Sequence, residues 1–161
     1  MAVHKLILDD VFEEDLYTLI AIHCTLEDYR LVYLLNKYLG ISLIRNPLDL
    51  DYQNGKSTYS FFEWEDDKQQ TIWNLVSNVC KTEDYRQRNG ESLFDSEEKI
   101  TRIAYLIPEY KMVNYFLKID NEVNFSKQKY ILNNVLKVPQ IATAYSIDIN
   151  QLKSKDNLIF N

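Results

Sequence analysis

The residue pattern predicts an α+β fold in which two main helices lie on one face of an antiparallel sheet. Three observations carry that prediction. Short apolar or alternating runs recur along the chain as strands do. Two longer stretches have helical spacing, each with a capping residue before it and a breaker after it. Tyr is used 12 times, against 3 Gly and 3 Pro in 161 residues, which favours strands with aromatic pairs over a loop-rich chain. A chain of this length is expected to form one domain over 1–161 with a proper core.

Taken in order, residues 3–8 predict a short strand, and residues 9–15 an acidic connector with five carboxylates in seven positions. That spacing does not match a calcium loop and no turn-forming Gly follows, so the connector reads as solvated linker. Residues 16–24 are apolar on both faces, as in a central strand covered on at least one side. Thr25 stands where a helix N-cap belongs, with Glu27 and Asp28 in the first turn. The helix is predicted to run to Leu39 and stop at Gly40. Leu31, Leu34, Leu35, Tyr38 and Leu39 share its core face. Tyr29 and Tyr33 fall on the opposite side, beside Arg30 and Lys37. That aromatic back is a candidate face for a second subunit, or a surface covered by a loop or tail.

Residues 41–45 and 58–66 read as strands. Residues 70–80 mix helical spacing with β-branched residues, and strand is the expected state. Residues 81–99 are polar and read as an exposed loop. Two strands, 102–107 and 112–120, are expected to pair as a hairpin around the loop 108–111. Within the second, Val113, Tyr115, Leu117 and Ile119 alternate with Asn114, Phe116 and Lys118. Ser126 is the expected cap of a second helix reaching Lys137, with Phe125 and Tyr130 as a hydrophobic staple across its start. Its buried stripe is Ile131, Leu132, Val135 and Leu136. A last strand, 140–147, places Ala142 and Ala144 on one face against a helix. The tail, 151–161, ends in Leu158, Ile159 and Phe160, which must dock on this domain or on a partner. The order strand, helix, strand, several antiparallel strands, helix, strand is that of a ferredoxin-like (split βαβ) sheet with a β-meander, 57–107, inserted. This layout is similar to that of ACT-type regulatory domains.

The stretch Ile107-Pro108-Glu109-Tyr110-Lys111-Met112-Val113-Asn114-Tyr115 resembles the signature of the IPExxxVDY family, a group of small bacterial proteins named for that motif. The similarity extends to the early stretch IAIHCTLEDYRLVYLLNKYLG and the late stretch PQIATAYSID. Asn114 stands where the family has Asp, so this position keeps hydrogen bonding but loses a charge and a general base. The resemblance implies no reaction. Read from the residues alone, Glu109, Asn114 and Tyr115 form either a small polar ligand site or a loop staple that sets strand register.

Other chemistry is disfavoured. A net charge of −6 without a basic cluster argues against nucleic acid or an anionic membrane as partner. No apolar run approaches a membrane span, and the N-terminus lacks a signal-peptide pattern. The three glycines lie far apart, which excludes a phosphate-cradling loop. His4, His23, Cys24 and Cys80 are the whole stock of His and Cys, and with two of them adjacent a zinc site would need an unusual arrangement. His23 and Cys24 point to opposite faces of a strand and cannot pair as base and nucleophile. Cys24 and Cys80 read as buried reduced thiols, consistent with a cytoplasmic protein. No catalytic residue, metal or cofactor is expected. The expected function is that of a non-catalytic binding or assembly protein forming a homodimer. The alternatives are an ACT-like domain binding a small molecule, and a hydrolase or isomerase using carboxylates.

Overall fold

The computed structural model describes residues 16–52, 55–86, 97–121 and 123–160, and the strand and acidic connector expected before residue 16 lie outside them. Among the described residues ten strands and two helices form around a six-stranded sheet of order β10-β1-β9-β6-β5-β2, all of whose pairings are antiparallel. The α+β class therefore stands. Strand β1 (Thr18–Cys24) lies between β10 (Ile141–Ile147) and β9 (Tyr115–Ile119). Strand β9 pairs on its other side with β6 (Thr71–Ser77), which continues into β5 (Phe61–Asp66) and the two-residue β2 (Ile44–Arg45).

Alternation along β1 divides the core in two. Ile20 and Ile22 face helices α1 (Asp28–Leu39) and α2 (Phe125–Leu136), joining Leu31, Leu35, Leu117, Ile131 and Val135 in one cluster. Leu19 and Ala21 face the other way and are covered by Leu106, Ile107, Val113, Leu152 and Leu158. One side of the sheet is thus roofed by helices and the other by loop and tail. Cys24 and Cys80 are free, buried thiols in different clusters.

Several local expectations are corrected. Thr25 does not cap α1: Glu27 holds the N-cap position, without a side-chain bond. The helix does end at Gly40, whose left-handed backbone (φ 65°) lets its N–H donate to the Asn36 carbonyl. Only two residues of the expected strand 41–45 pair. Asn36 clamps the rest, its side chain donating to the Leu43 carbonyl and accepting from the Leu43 N–H. At α2 the cap is Asn124 rather than Ser126, its side chain accepting from the Lys127 N–H at 2.8 Å. This starts the helix earlier, and the proposed staple fails: Phe125 and Tyr130 are both exposed. Leu136 is likewise exposed, and Asn134 takes a buried position. Ala144 is buried under the helices, but Ala142 is exposed because the β1–β10 register shifts at His23/Cys24.

The largest correction concerns the middle of the chain. Residues 102–107 and 112–120 do not pair as a hairpin. Instead β8 (Glu98–Tyr105) pairs along its whole length with β7 (Val79–Arg86), forming a separate two-stranded ribbon. The flanks of the expected exposed loop 81–99 are therefore strand. Strand β9 is inserted between β1 and β6. Val113 falls in the cluster opposite to Tyr115, because a turn closed by its N–H donating to the Tyr110 carbonyl precedes the strand and breaks the two-residue period. The meander expected over 57–107 is also divided: β5 and β6 join the main sheet, whereas β3 (Leu50–Tyr52) pairs separately with β4 (Ser57–Tyr59).

Asn78 is where the chain changes partner. Its N–H donates to the Asn114 carbonyl, continuing the β6–β9 ladder, and its carbonyl accepts from the Leu106 N–H, beginning the β7–β8 ladder. The side chain is fully buried and makes three bonds. It donates to the carbonyls of Tyr110 (2.8 Å) and Val113 (2.9 Å) and accepts from the Ile107 N–H (2.8 Å). The motif loop is thus folded around one buried amide.

Candidate functional site

The three motif residues singled out in the sequence are not brought to one place. The short 3₁₀ turn Pro108–Tyr110 directs Glu109 to the tail, where its carboxylate accepts from the N–H groups of Lys153 (2.9 Å) and Ser154 (2.8 Å) and from the Ser154 hydroxyl (2.9 Å). Partial burial works to raise its pKa, but these donors outweigh it and hold the carboxyl below its usual range. Glu109 is a staple, and it fastens the tail rather than a hairpin.

Asn114 and Tyr115 do share a site. They line an open cavity of about 460 Å³ with Cys24, Thr25, Leu26, Ser77 and Lys81. The cavity lies where β1 ends, before α1 begins. Asn114 stitches β9 to β1: its Oδ1 accepts from the Cys24 N–H at 3.0 Å, and its own N–H donates to the Ile22 carbonyl. Tyr115 is buried, and its hydroxyl donates to the Leu26 carbonyl at 2.7 Å, holding the segment that leads into α1. Burial, reinforced by Cys24, Asp28 and Glu27, raises the Tyr115 pKa above that of an ordinary phenol. Burial likewise raises the Cys24 thiol, against the opposing bond to the Leu26 backbone. Both groups are held neutral, so Cys24 is no activated nucleophile. Lys81 supplies an ammonium and Thr25 an exposed hydroxyl. Such a wall can bind a small polar molecule through donors.

The interface candidates divide. Tyr29 and Tyr33 project from α1 into solvent, 58% and 66% exposed, and Arg30 stacks over the Tyr29 ring at 5.9 Å. In the tail, Leu158 is fully buried in this chain's own core and Phe160 packs on Phe61 at a ring distance of 4.8 Å. Only Ile159 of that trio remains exposed. The tail is anchored by Lys118, which the alternation places on the strand face of Asn114 and Phe116 without indicating this role. Its ammonium donates to the Leu158 carbonyl at 2.8 Å and lies 4.7 Å from the Tyr17 ring centre and 5.0 Å from that of Phe160. A lysine at a strand position facing an apolar layer was the available signal.

His23 lies on the face opposite to Ile22 and pairs with Tyr145, its Nε2 3.0 Å from the hydroxyl. Among the described residues no group of three or more His, Cys, Asp or Glu is placed to hold a metal ion, and no helix is long and apolar enough to cross a membrane. Comparison with family models, curated proteins and solved structures finds no match to this chain.

Proposed function

We propose that this chain is a non-catalytic binding and assembly protein that acts as a cytoplasmic homodimer and belongs, by the motif 107–115, with the IPExxxVDY proteins. The observation that carries the reading is the outer face of α1. Tyr29 and Tyr33 stand one turn apart with most of their surface in water, and amphipathic aromatic rings of this kind are enriched at protein interfaces. Two buried free thiols favour a reducing compartment. The run β10-β1-β9-β6, with α1 following β1 and α2 joining β9 to β10, supports a ferredoxin-like split βαβ as the ancestral plan. Sedimentation velocity at about 50 µM, a concentration at which a micromolar dimer is well populated, tests the assembly. The wild type is expected as a dimer and the Tyr29→Glu/Tyr33→Glu variant as a folded monomer. A wild-type monomer, or a double variant that still dimerises, overturns it.

A second reading, an ACT-like regulatory domain, is favoured by the cavity at Asn114 and Tyr115, which is within the range of small-ligand pockets. Among the described residues the carboxylate-enzyme reading is supported by Glu65, Asp66 and Asp67 at the rim of another cavity, where Asp66 Oδ1 already accepts from the N–H groups of Lys68 and Gln69.

A further inference from the structure

A second cavity, distant in sequence from the motif loop, opens between the helix layer and the β5–β6 end of the sheet. Its volume is also about 460 Å³. The sheet supplies Trp64 and Trp73, which lie directly opposite each other across β5 and β6 with ring centres 5.9 Å apart and planes tilted by 50°. Ile41, Tyr130 and Ile131 close it from the helix side. The walls are therefore aromatic and aliphatic, and wide enough for a flat ring.

Two buried donors on this side of β6 are unanswered. Trp73 is 95% buried, yet its Nε1–H finds no acceptor among the described residues. The same holds for the Thr71 hydroxyl, two residues earlier and thus on the same face of the strand. An indole N–H can only donate, so the group that completes Trp73 must carry an acceptor. Buried donors in native proteins are almost always satisfied, and an orphan beside a cavity calls for an explanation. The rim does not select charge. Asp66 is occupied by the turn and Lys127 by Gln69, which leaves Glu65, Asp67 and Lys68 with mixed signs.

We propose that this cavity is a binding site for a small, uncharged planar heteroaromatic molecule whose ring lies against the tryptophan pair and whose edge acceptor takes the Trp73 N–H. Nε1 is covered in this structure, so the acceptor reaches it as the side chains over it shift, and the ring that follows lies against the tryptophan pair. Binding therefore also changes the coupling between the two indoles.

The chain has two tryptophans, and both line this cavity, so its indole resonances report on the site without labels elsewhere. Adenine and nicotinamide, titrated to millimolar concentration into the ¹⁵N-labelled full chain, are the probes. Indole, equally flat but without an edge acceptor, is the control. At least one acceptor-bearing probe is expected to move the Trp73 indole N–H signal downfield saturably and to alter the near-ultraviolet dichroism, with indole doing neither. Trp73→Phe, which keeps a ring but removes the donor, should weaken that binding about tenfold. Tyr130→Ala, at an exposed position of the cavity wall, should weaken it about threefold without affecting the fold. No response to either probe, or equal responses to the probe and to indole, overturns the proposal. So does undiminished affinity in a folded Trp73→Phe. The probe-against-indole comparison uses only the native chain and decides the matter even if Trp73→Phe does not fold.

Discussion

At the scale of single residues, two side chains organise the motif loop, and they do so in different ways. Asn78 satisfies three backbone groups from a fully buried position. Replacing it with Ala leaves those groups without partners where water cannot reach, and Asn78→Ala is expected to lower the unfolding free energy in urea by about 3 kcal/mol or more. Glu109 works at the surface, and its contribution depends on pH. Its folded carboxyl has a lowered pKa, so the stability it adds is fully present above the unfolded carboxyl's pKa and disappears as pH falls through the folded value. Wild type should therefore exceed Glu109→Gln in stability at pH 7, and the difference should shrink as pH is lowered through the carboxyl's folded pKa, below an ordinary glutamate's. A difference that is the same at every acid pH would mean that the carboxylate is not the tail's fastener. Glu109, Asn114 and Tyr115 stood out in the sequence because a Pro-Glu turn before an alternating strand is distinctive. Their separation into a tail staple and a cavity wall was not readable, since it depends on where residues 153–154 and Cys24 lie.

At the scale of elements, local signals located what local physics decides. Helix α1 was legible from its apolar stripe and Gly40, and β1 from its unbroken apolar run. The β7–β8 ribbon was legible only in part: residues 102–105 were expected as strand, whereas 81–86, 98–101 and the pairing of the two strands were not. Its outer half is exposed on both faces, with Tyr85 and Ile103 in solvent and ion pairs Glu83–Lys99 (2.8 Å) and Asp84–Arg102 (3.2 Å) on its surface. A strand without a buried face has no period-two apolar pattern and reads as loop. Exposed ion pairs add little, and a two-stranded ribbon is marginal alone. Hydrogen exchange should show the amides of residues 82–85 and 98–101 exchanging far faster than those of β1, whose strand is buried from Thr18 to Ile22. Equal protection would mean that the ribbon is covered by something else. The tail offers a second test. Lys118→Met keeps the stem but removes the bond to the Leu158 carbonyl, and should cost about 1–3 kcal/mol, as expected for a bond from a charged donor. Proteolysis beyond residue 150 should quicken in that variant.

At the scale of the whole molecule, the sheet has both faces covered by this chain, and the tail that was a candidate interface belongs largely to its core. That leaves Tyr29 and Tyr33 on the back of α1 as the aromatic interface candidates still facing water, while Phe125 and Tyr130 are exposed on α2. The α+β class was legible because helix and strand periods differ within each segment. The strand order was not, since placing β9 between β1 and β6 is a contact between residues far apart in sequence. The assembly claim is tested most directly by native mass spectrometry of the protein purified gently from its own host. The account predicts the mass of a dimer, reduced to that of a monomer by Tyr29→Glu/Tyr33→Glu. A wild-type spectrum holding only the monomer, at concentrations where a micromolar dimer persists, would contradict it.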